Sequence, residues 1–231
     1  MKSGYLAISA DATELHIRKG EAMSEYILTI FEIVGVIAFA ASGAIAGIEK
    51  KMDIFGVSIL GLTTAVGGGV IRDLILGITP PMTFRNPVYA TMAIIVSFVV
   101  FFAVAKKPSF KYRHYYDILM FIMDSIGLGI FTVIGINTAY TSNPDYGIFL
   151  LVFVGVVTGV GGGIMRDIMA GNPPYVFVKH FYACASIIGA LLCVYSRPYI
   201  GSVYSMFLGT AAVILLRFLA ARFRWSLPKP R

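Results

Sequence analysis

The sequence is poor in charged residues. Asp, Glu, Lys and Arg make up 13% of its 231 residues, whereas 58% are hydrophobic, and the mean hydropathy is +0.81. Soluble domains carry about 25% charged residues. The composition therefore excludes an ordinary soluble protein and predicts an integral membrane protein.

Cysteine and histidine are also scarce. Cys184 and Cys193 lie in one apolar run, which excludes a disulfide framework and a CxxC pair, and the three histidines show no metal-ligand spacing. No His/Asp/Ser or HExxH constellation is present, and His114 and His180 lie near predicted helix ends. We therefore expect no metal, no cofactor and no enzymatic activity.

The hydrophobic residues fall into seven runs separated by charged or proline-containing turns. A bilayer core about 30 Å thick needs about 20 apolar residues in a helix. We therefore predict seven transmembrane spans, numbered 1 to 7, at residues 26–48, 54–78, 88–105, 117–140, 146–170, 175–195 and 199–219. The preceding residues, 1–25, are polar, and their apolar run is too short for a signal peptide, so they predict a disordered tail with Met23 as an alternative start.

The net charge of +7 comes from basic residues that lie mainly between the apolar runs. Anionic lipid headgroups are the natural counter-charge there, so membrane lipids are expected partners and nucleic acid is not. When the loops alternate across the membrane, eleven basic residues share the side of the C-terminus and five lie on the other side. This bias predicts a multi-pass protein of the cell inner (plasma) membrane with an outside N-terminus and a cytoplasmic C-terminus.

An internal repeat covers most of the chain. The sequence TAVGGGVIRD at 64–73 returns 94 residues later as TGVGGGIMRD at 158–167, and both copies are followed by a glycine and a Pro-Pro pair. Further upstream, at a spacing of 92, Glu32, Gly35, Phe39 and Gly43 match Asp124, Gly127, Phe131 and Gly135. Spans 1–3 therefore repeat as spans 4–6.

The repeat gives the predicted domain order and fold. Repeat 1 covers residues 26–105 and repeat 2 covers residues 117–196, and a basic loop at 106–116 connects them. Span 7 lies in residues 197–220, and a basic tail follows at 221–231. Because each repeat has an odd number of spans, the second is inverted relative to the first. We predict an all-α membrane protein with a 3+3 inverted repeat and a seventh helix. Such repeats favour a channel or transporter, and a merely duplicated structural protein is the alternative.

Two glycine triplets are the first candidate site. Each glycine costs about 1 kcal/mol of helix propensity, so we expect a kink or unwound stretch whose carbonyls face a water-filled path. A threonine one turn earlier extends this oxygen-lined surface or bonds back to its own helix. Close helix packing, which we favour for the scattered glycines, is the alternative for the triplets. The predicted ion pathway comprises Thr64, Gly67, Gly68, Gly69, Thr158, Gly161, Gly162 and Gly163.

Ionisable residues within the spans are the second candidate site, because charge at membrane depth is functional by default. The inverted topology predicts two vestibule clusters, one in each half of the membrane. Adjacent Arg and Asp point about 100° apart on a helix, so each arginine should pair with an acid of another helix, and the alternative is that these pairs only pin helices together. The predicted clusters are Glu32, Arg72 and Asp73 outside, with Glu32 facing Arg72, and Asp124, Arg166 and Asp167 inside, with Asp124 facing Arg166.

The duplicated Gly-Gly-Gly-x-x-Arg-Asp motif, the Pro-Pro turns and the seven spans resemble the prokaryotic trimeric intracellular cation channel (TRIC) family over residues 24–220. The resemblance implies a homotrimer with a separate pore for potassium or other monovalent cations in each subunit, in which spans 2 and 5 bend at the glycine triplets. The Lys-Glu-Val motif that animal members carry on the fourth helix does not occur here, so their gating and phosphoinositide binding are not carried over. Bacterial sequences with this domain are also labelled glycine transporters, which leaves a carrier for a small amino acid as the alternative. We favour the channel because no sequence feature indicates a closed pocket for a zwitterion.

Overall fold

The structure is a computed structural model that describes residues 2–105, 113–178 and 181–225. Within these ranges the regular elements are helices. Their bounds are α1 Lys2–Glu49, α2 Ile54–Ile75, α3 Met82–Arg85, α4 Val88–Ala105, α5 Arg113–Ser142, α6 Ile148–Met169, α7 Tyr175–Val178 and α8 Tyr182–Phe223. The chain is therefore an all-helical membrane protein, as the composition predicts.

Among the residues that the structure describes, five helical stretches are long and apolar enough to cross a membrane: Glu25–Glu49 of α1, α2, Tyr115–Ser142 of α5, α6 and α8. The apolar part of α4 is shorter, at Val88–Val104. With 42 residues, α8 is twice as long as a bilayer requires. It bends where Gly201 leaves helical geometry, with φ 81° and ψ 170°, three residues after Pro198. We call residues 182–200 and 202–223 its first and second limbs.

The ends of the elements differ in part from the predicted boundaries. Residues 2–25, which we expected to be disordered, continue α1 toward the N-terminus, and this stretch contains no proline to stop a helix. In the predicted connecting loop, 106–112 lie outside the described residues and 113–116 begin α5. In the predicted C-terminal tail, α8 extends to Phe223 and 226–231 lie outside the described residues.

Four helices form the centre of the fold. Helix α1 packs against α2 and α5, while α6 packs against α2 and α5. On the outside of this group, α4 covers α1 and α2, and α8 covers α5 and α6. Phe39 of α1 and Phe131 of α5, which occupy matching positions in the repeat, meet in the core with ring centroids 5.2 Å apart. The two halves of the sequence therefore contact each other through corresponding residues.

Helices α2 and α6 make a close backbone contact at their glycine triplets. A Cβ atom added to Gly68 would lie closer than 3.0 Å to the carbonyl oxygen of Thr158, and one added to Gly162 would lie equally close to the carbonyl oxygen of Thr64. Both helices remain α-helical through the triplets, so the unwound stretch that we expected is absent. The physical reason is packing, since glycine lets two regular helices approach until their backbones touch.

The two threonines before the triplets bond back to their own helices. The Thr64 hydroxyl donates to the carbonyl oxygen of Leu60, and the Thr158 hydroxyl to that of Val154, both at 2.6 Å. Each hydroxyl also lies against a glycine of the preceding helix, Gly43 or Gly135, where a Cβ atom would approach it closer than 3.0 Å. The back-bonded alternative therefore describes both threonines.

The glycine contact predicts a position-dependent response to one methyl group. Gly68→Ala should destabilise the protein by about 1–3 kcal/mol, because the methyl group overpacks a backbone contact. Gly69→Ala is the matched control, since it gains the same helix propensity and its Cβ atom would have its nearest neighbour, the Arg72 side chain, at 3.8 Å. Thermal unfolding of the purified variants in detergent measures the difference. Equal unfolding temperatures for the two variants would contradict the packing role.

Candidate functional site

Asp124 of α5 is the centre of a buried charge cluster. Its Oδ1 lies 2.7 Å from Nη1 of Arg166 on α6, and its Oδ2 lies 2.8 Å from Nη2 of Arg217 on α8. The Tyr182 hydroxyl also donates to Oδ1, at 3.1 Å. The predicted pair of Asp124 with Arg166 is thus present, and Arg217 is a second partner that the sequence analysis left out.

Arg166 connects this cluster to further helices. Its Nε donates to Oδ1 of Asp167 at 2.9 Å, and its Nη1 also donates to the hydroxyl of Ser42 on α1. Its Nη2 atom is buried without a hydrogen-bond partner among the described residues. The Arg166 side chain is 0% exposed, so the guanidinium fills the space between α1, α5 and α6. We call Asp124, Arg166, Asp167 and Arg217 cluster 2.

Arg217 was missed because it lies in predicted span 7, for which the sequence repeat offers no counterpart. Its guanidinium stacks on Tyr182 and Phe121, with its carbon 4.4 Å and 4.9 Å from the ring centroids. Its Nε also donates to the hydroxyl of Ser125 at 3.2 Å. A cation within a predicted apolar span was the available signal, since such a residue needs a buried partner.

Arg72 of α2 is arranged differently from its counterpart Arg166. Its Nε and Nη2 both lie 2.8 Å from Oδ1 of the adjacent Asp73. The other oxygen of Asp73 accepts from the backbone N–H of Met82 at the start of α3, as Asp167 does from Tyr175 at the start of α7, both at 2.8 Å. The expectation that each arginine pairs with an acid of another helix rather than with its neighbour therefore fails for Arg72, whereas Arg166 pairs with both Asp124 and the adjacent Asp167. The long arginine side chain spans the angle to the neighbouring aspartate in both copies.

Glu32 of α1 makes no ion pair with Arg72 within the described part of the chain. Its carboxylate instead accepts a short hydrogen bond from the hydroxyl of Tyr89 on α4. The predicted pair of Glu32 with Arg72 is wrong, since Arg72 pairs with the adjacent Asp73 instead. We call Glu32, Arg72 and Asp73 cluster 1.

The two clusters adjoin two different cavities. Cavity 1, of about 420 Å³, is lined by Glu32, Gly69, Arg72, Tyr89 and Thr138 among others. Cavity 2, of about 440 Å³, is lined by residues that include Asp117, Phe121, Tyr175, Arg217 and Arg224.

The two cavities lie at opposite ends of α5. Asp117 beside cavity 2 and Thr138 beside cavity 1 are separated by about 30 Å along the helix at 1.5 Å per residue, which is the thickness of a bilayer core. Of the predicted pathway residues, Gly69 lines cavity 1. The Cβ positions of the other five glycines, Gly67, Gly68, Gly161, Gly162 and Gly163, contact neighbouring helices. Each cavity therefore extends only part of the way through the fold.

Cluster 2 predicts unequal effects of single charge removals. Asp124→Asn leaves two buried arginines without their shared carboxylate and should destabilise the protein by about 3–5 kcal/mol. Arg217→Met should cost less, because Asp124 keeps Arg166, and Asp124→Asn with Arg217→Met should recover part of the loss. Thermal unfolding of the three variants tests this order, and strictly additive effects would contradict a coupled cluster.

Comparison with known proteins places these features in a family. A family model described as "Glycine transporter" matches residues 29–105 and 121–198, which is one match in each half of the chain. The inner membrane protein YadS of Escherichia coli K12 is 36% identical over 203 residues, covering 86% of this chain and 93% of YadS. The membrane protein YvgT of Bacillus subtilis is 31% identical over 86% of this chain and 94% of its own length. Both relatives belong to the UPF0126 group.

Solved structures match the fold over nearly the same residues. A prokaryotic TRIC channel crystallised in 0.5 M KCl is 30% identical, with a TM-score of 0.80 over 88% of this chain and 100% of that chain. The TRIC orthologue from Rhodobacter sphaeroides is also 30% identical, with a TM-score of 0.77 over 86% of this chain and 99% of that chain. The glycine-transporter family model and the UPF0126 relatives describe the same family as these structures. The chain therefore belongs to the prokaryotic TRIC family.

Proposed function

We propose that the protein is a channel for monovalent cations, chiefly potassium, with a conducting path inside each subunit of a homotrimer. The observation that carries the proposal is the similarity to TRIC cation channel structures, with a TM-score of 0.80 over 88% of the chain. The two cavities at opposite ends of α5 support it, since a path through the subunit needs an entrance on each side of the membrane.

The proposed architecture is the 3+3 inverted repeat with a seventh span. We assign α1, α2 and α4 to the first repeat, α5, α6 and the first limb of α8 to the second, and the second limb to span 7. The reciprocal contacts of Gly68 and Gly162 support this assignment, as does the matching capping of α3 and α7 by Asp73 and Asp167. The excess of basic residues on the C-terminal side supports a cytoplasmic C-terminus in the inner membrane.

The proposed path joins cavity 1 to cavity 2 across the contact between α2 and α6. In this conformation the path is closed, because the two backbones touch at Gly68 and Gly162 and the Arg166 side chain is fully buried. The carbonyl oxygens of Thr64 and Thr158 lie directly at this contact. Each carbonyl has a second lone pair, so separation of the helices would expose cation ligands where the glycines now pack.

The alternative is a carrier for a small zwitterion such as glycine, which rests on the description of the family model. A zwitterion needs both a free anion and a free cation in one pocket. Cavity 1 offers the Glu32 carboxylate, but the Arg72 guanidinium beside it is bonded to Asp73. This occupied arginine favours a cation as the permeating species.

Recording from the purified protein in a planar bilayer tests the proposal. We expect discrete unitary currents carried by potassium, because a channel passes many ions per opening whereas a carrier is limited by its conformational cycle. Saturable glycine uptake with counterflow, in the absence of unitary currents, would overturn the channel in favour of the carrier.

A further inference from the structure

The two clusters occupy matching places in the repeat but carry different charge. Cluster 2 contains two arginines and two aspartates and is neutral, whereas cluster 1 contains one arginine and two acids and carries one negative charge. The difference is Arg217, which comes from the limb of α8 outside the repeat. Cluster 1 therefore lacks the second cation that completes cluster 2.

The excess negative charge is located on Glu32. Within the described part of the chain, Arg72 and Glu32 are the two charged residues that line cavity 1. Arg72 places its Nε and Nη2 on Asp73. The hydrogen bond that Glu32 accepts comes from Tyr89, a neutral donor that brings no counter-charge. A carboxylate in a partly enclosed site needs a counter-charge, because desolvation penalises an unpaired ion.

Helix α5 also lines cavity 1, and there it presents hydroxyl oxygen atoms. The hydroxyls of Thr138 and Ser142 on α5 donate to carbonyl oxygens of their own helix, at 2.9 Å and 2.8 Å. Because each hydroxyl hydrogen is already donated to a carbonyl, the hydroxyl oxygen can act only as an acceptor or as a cation ligand. Hydroxyl and carboxylate oxygens are ligands for hard cations, and a volume of about 420 Å³ holds an ion with several water molecules.

From this charge count and this lining, we propose that cavity 1 binds a monovalent alkali cation at Glu32. The ion provides the positive charge that Arg217 provides in cluster 2. The inference rests on the proposed function, for which it identifies the entrance that concentrates cations before they reach the contact between α2 and α6.

Potassium-dependent thermal stability tests the site without requiring conduction. Potassium chloride replaces N-methyl-D-glucamine chloride at constant ionic strength, so that only specific binding raises the unfolding temperature. The wild-type protein should be stabilised as potassium rises, and Glu32→Gln should weaken the apparent affinity at least about tenfold, which corresponds to about 1.4 kcal/mol. Glu25→Gln is the matched control, since it removes the same charge from an exposed position on the same helix.

Tyr89→Phe distinguishes a cation site from a structural tie between α1 and α4. Removing the hydroxyl frees a Glu32 oxygen for the ion, so this variant should keep or increase the potassium-dependent shift while Glu32→Gln loses it. A structural tie predicts instead that both substitutions lower the unfolding temperature and leave the potassium-dependent shift unchanged. If Glu32→Gln does not fold, loss of the shift in Tyr89→Phe overturns the inference.

Two further results would overturn the inference while leaving the proposed function intact. The first is a wild-type protein that gives unitary potassium currents but shows no potassium-dependent stabilisation. The second is an equal potassium-dependent shift in the wild type and Glu32→Gln, with unitary currents still present in the wild type. Absence of unitary currents together with a potassium-dependent shift that requires Glu32 would instead reject the channel and retain the cation site.

Discussion

The backbone contact between α2 and α6 at Gly68 and Gly162 is the constraint on which the rest of the structure depends. In a bilayer, helices associate through close packing because lipid chains are as apolar as the side chains. Two regular helices can touch at their backbones only where side chains are absent, and the triplets provide this surface from both partners. In the path that we propose, this contact lies between cavity 1 and cavity 2, so the same glycines determine its closed state.

Buried charge adds specificity to this packing. Cluster 2 places a neutral group of four charged side chains between α5, α6 and α8. Removing one of these side chains leaves an unpaired buried charge, which strongly destabilises the fold. Cluster 1 has the same Arg–Asp pair and the same capping of a short helix, but it has no counterpart of Arg217. Arg217 on the second limb of α8 therefore makes the two halves of a repeated sequence electrically unequal.

Much of the fold could be predicted because a bilayer requires long hydrophobic runs and because the internal repeat relates the two halves of the chain. Helix α4 has the predicted bounds, and α2 and α6 differ from theirs by no more than three residues at any end. Asp124 and Arg166 could be paired from the inverted repeat alone, since the topology places them at one depth. The two cavities themselves were not predictable, because their shapes depend on how short elements such as α3 and α7 fill the ends of the bundle.

The failed predictions have specific physical causes. The pairing of Glu32 with Arg72 failed because relative depth does not determine which neighbour a long, flexible arginine reaches. Arg217 was overlooked because it has no repeat mate, although an arginine within an apolar span requires a partner. A kink or unwound stretch was expected at the triplets because their cost in helix propensity was given more weight than the alternative of close helix packing, whereas both helices stay α-helical through the triplets and pack against each other there.

The central claim is that two cavities open on opposite faces of the membrane and are separated by the glycine contact. A membrane-impermeant thiol reagent tests it most directly on a background in which Cys184 and Cys193 are replaced by alanine. Thr138→Cys lies in cavity 1 and Ala221→Cys in cavity 2. The account predicts that the reagent modifies Thr138→Cys only from outside and Ala221→Cys only from the cytoplasmic side, and modification of both from the same side would contradict it.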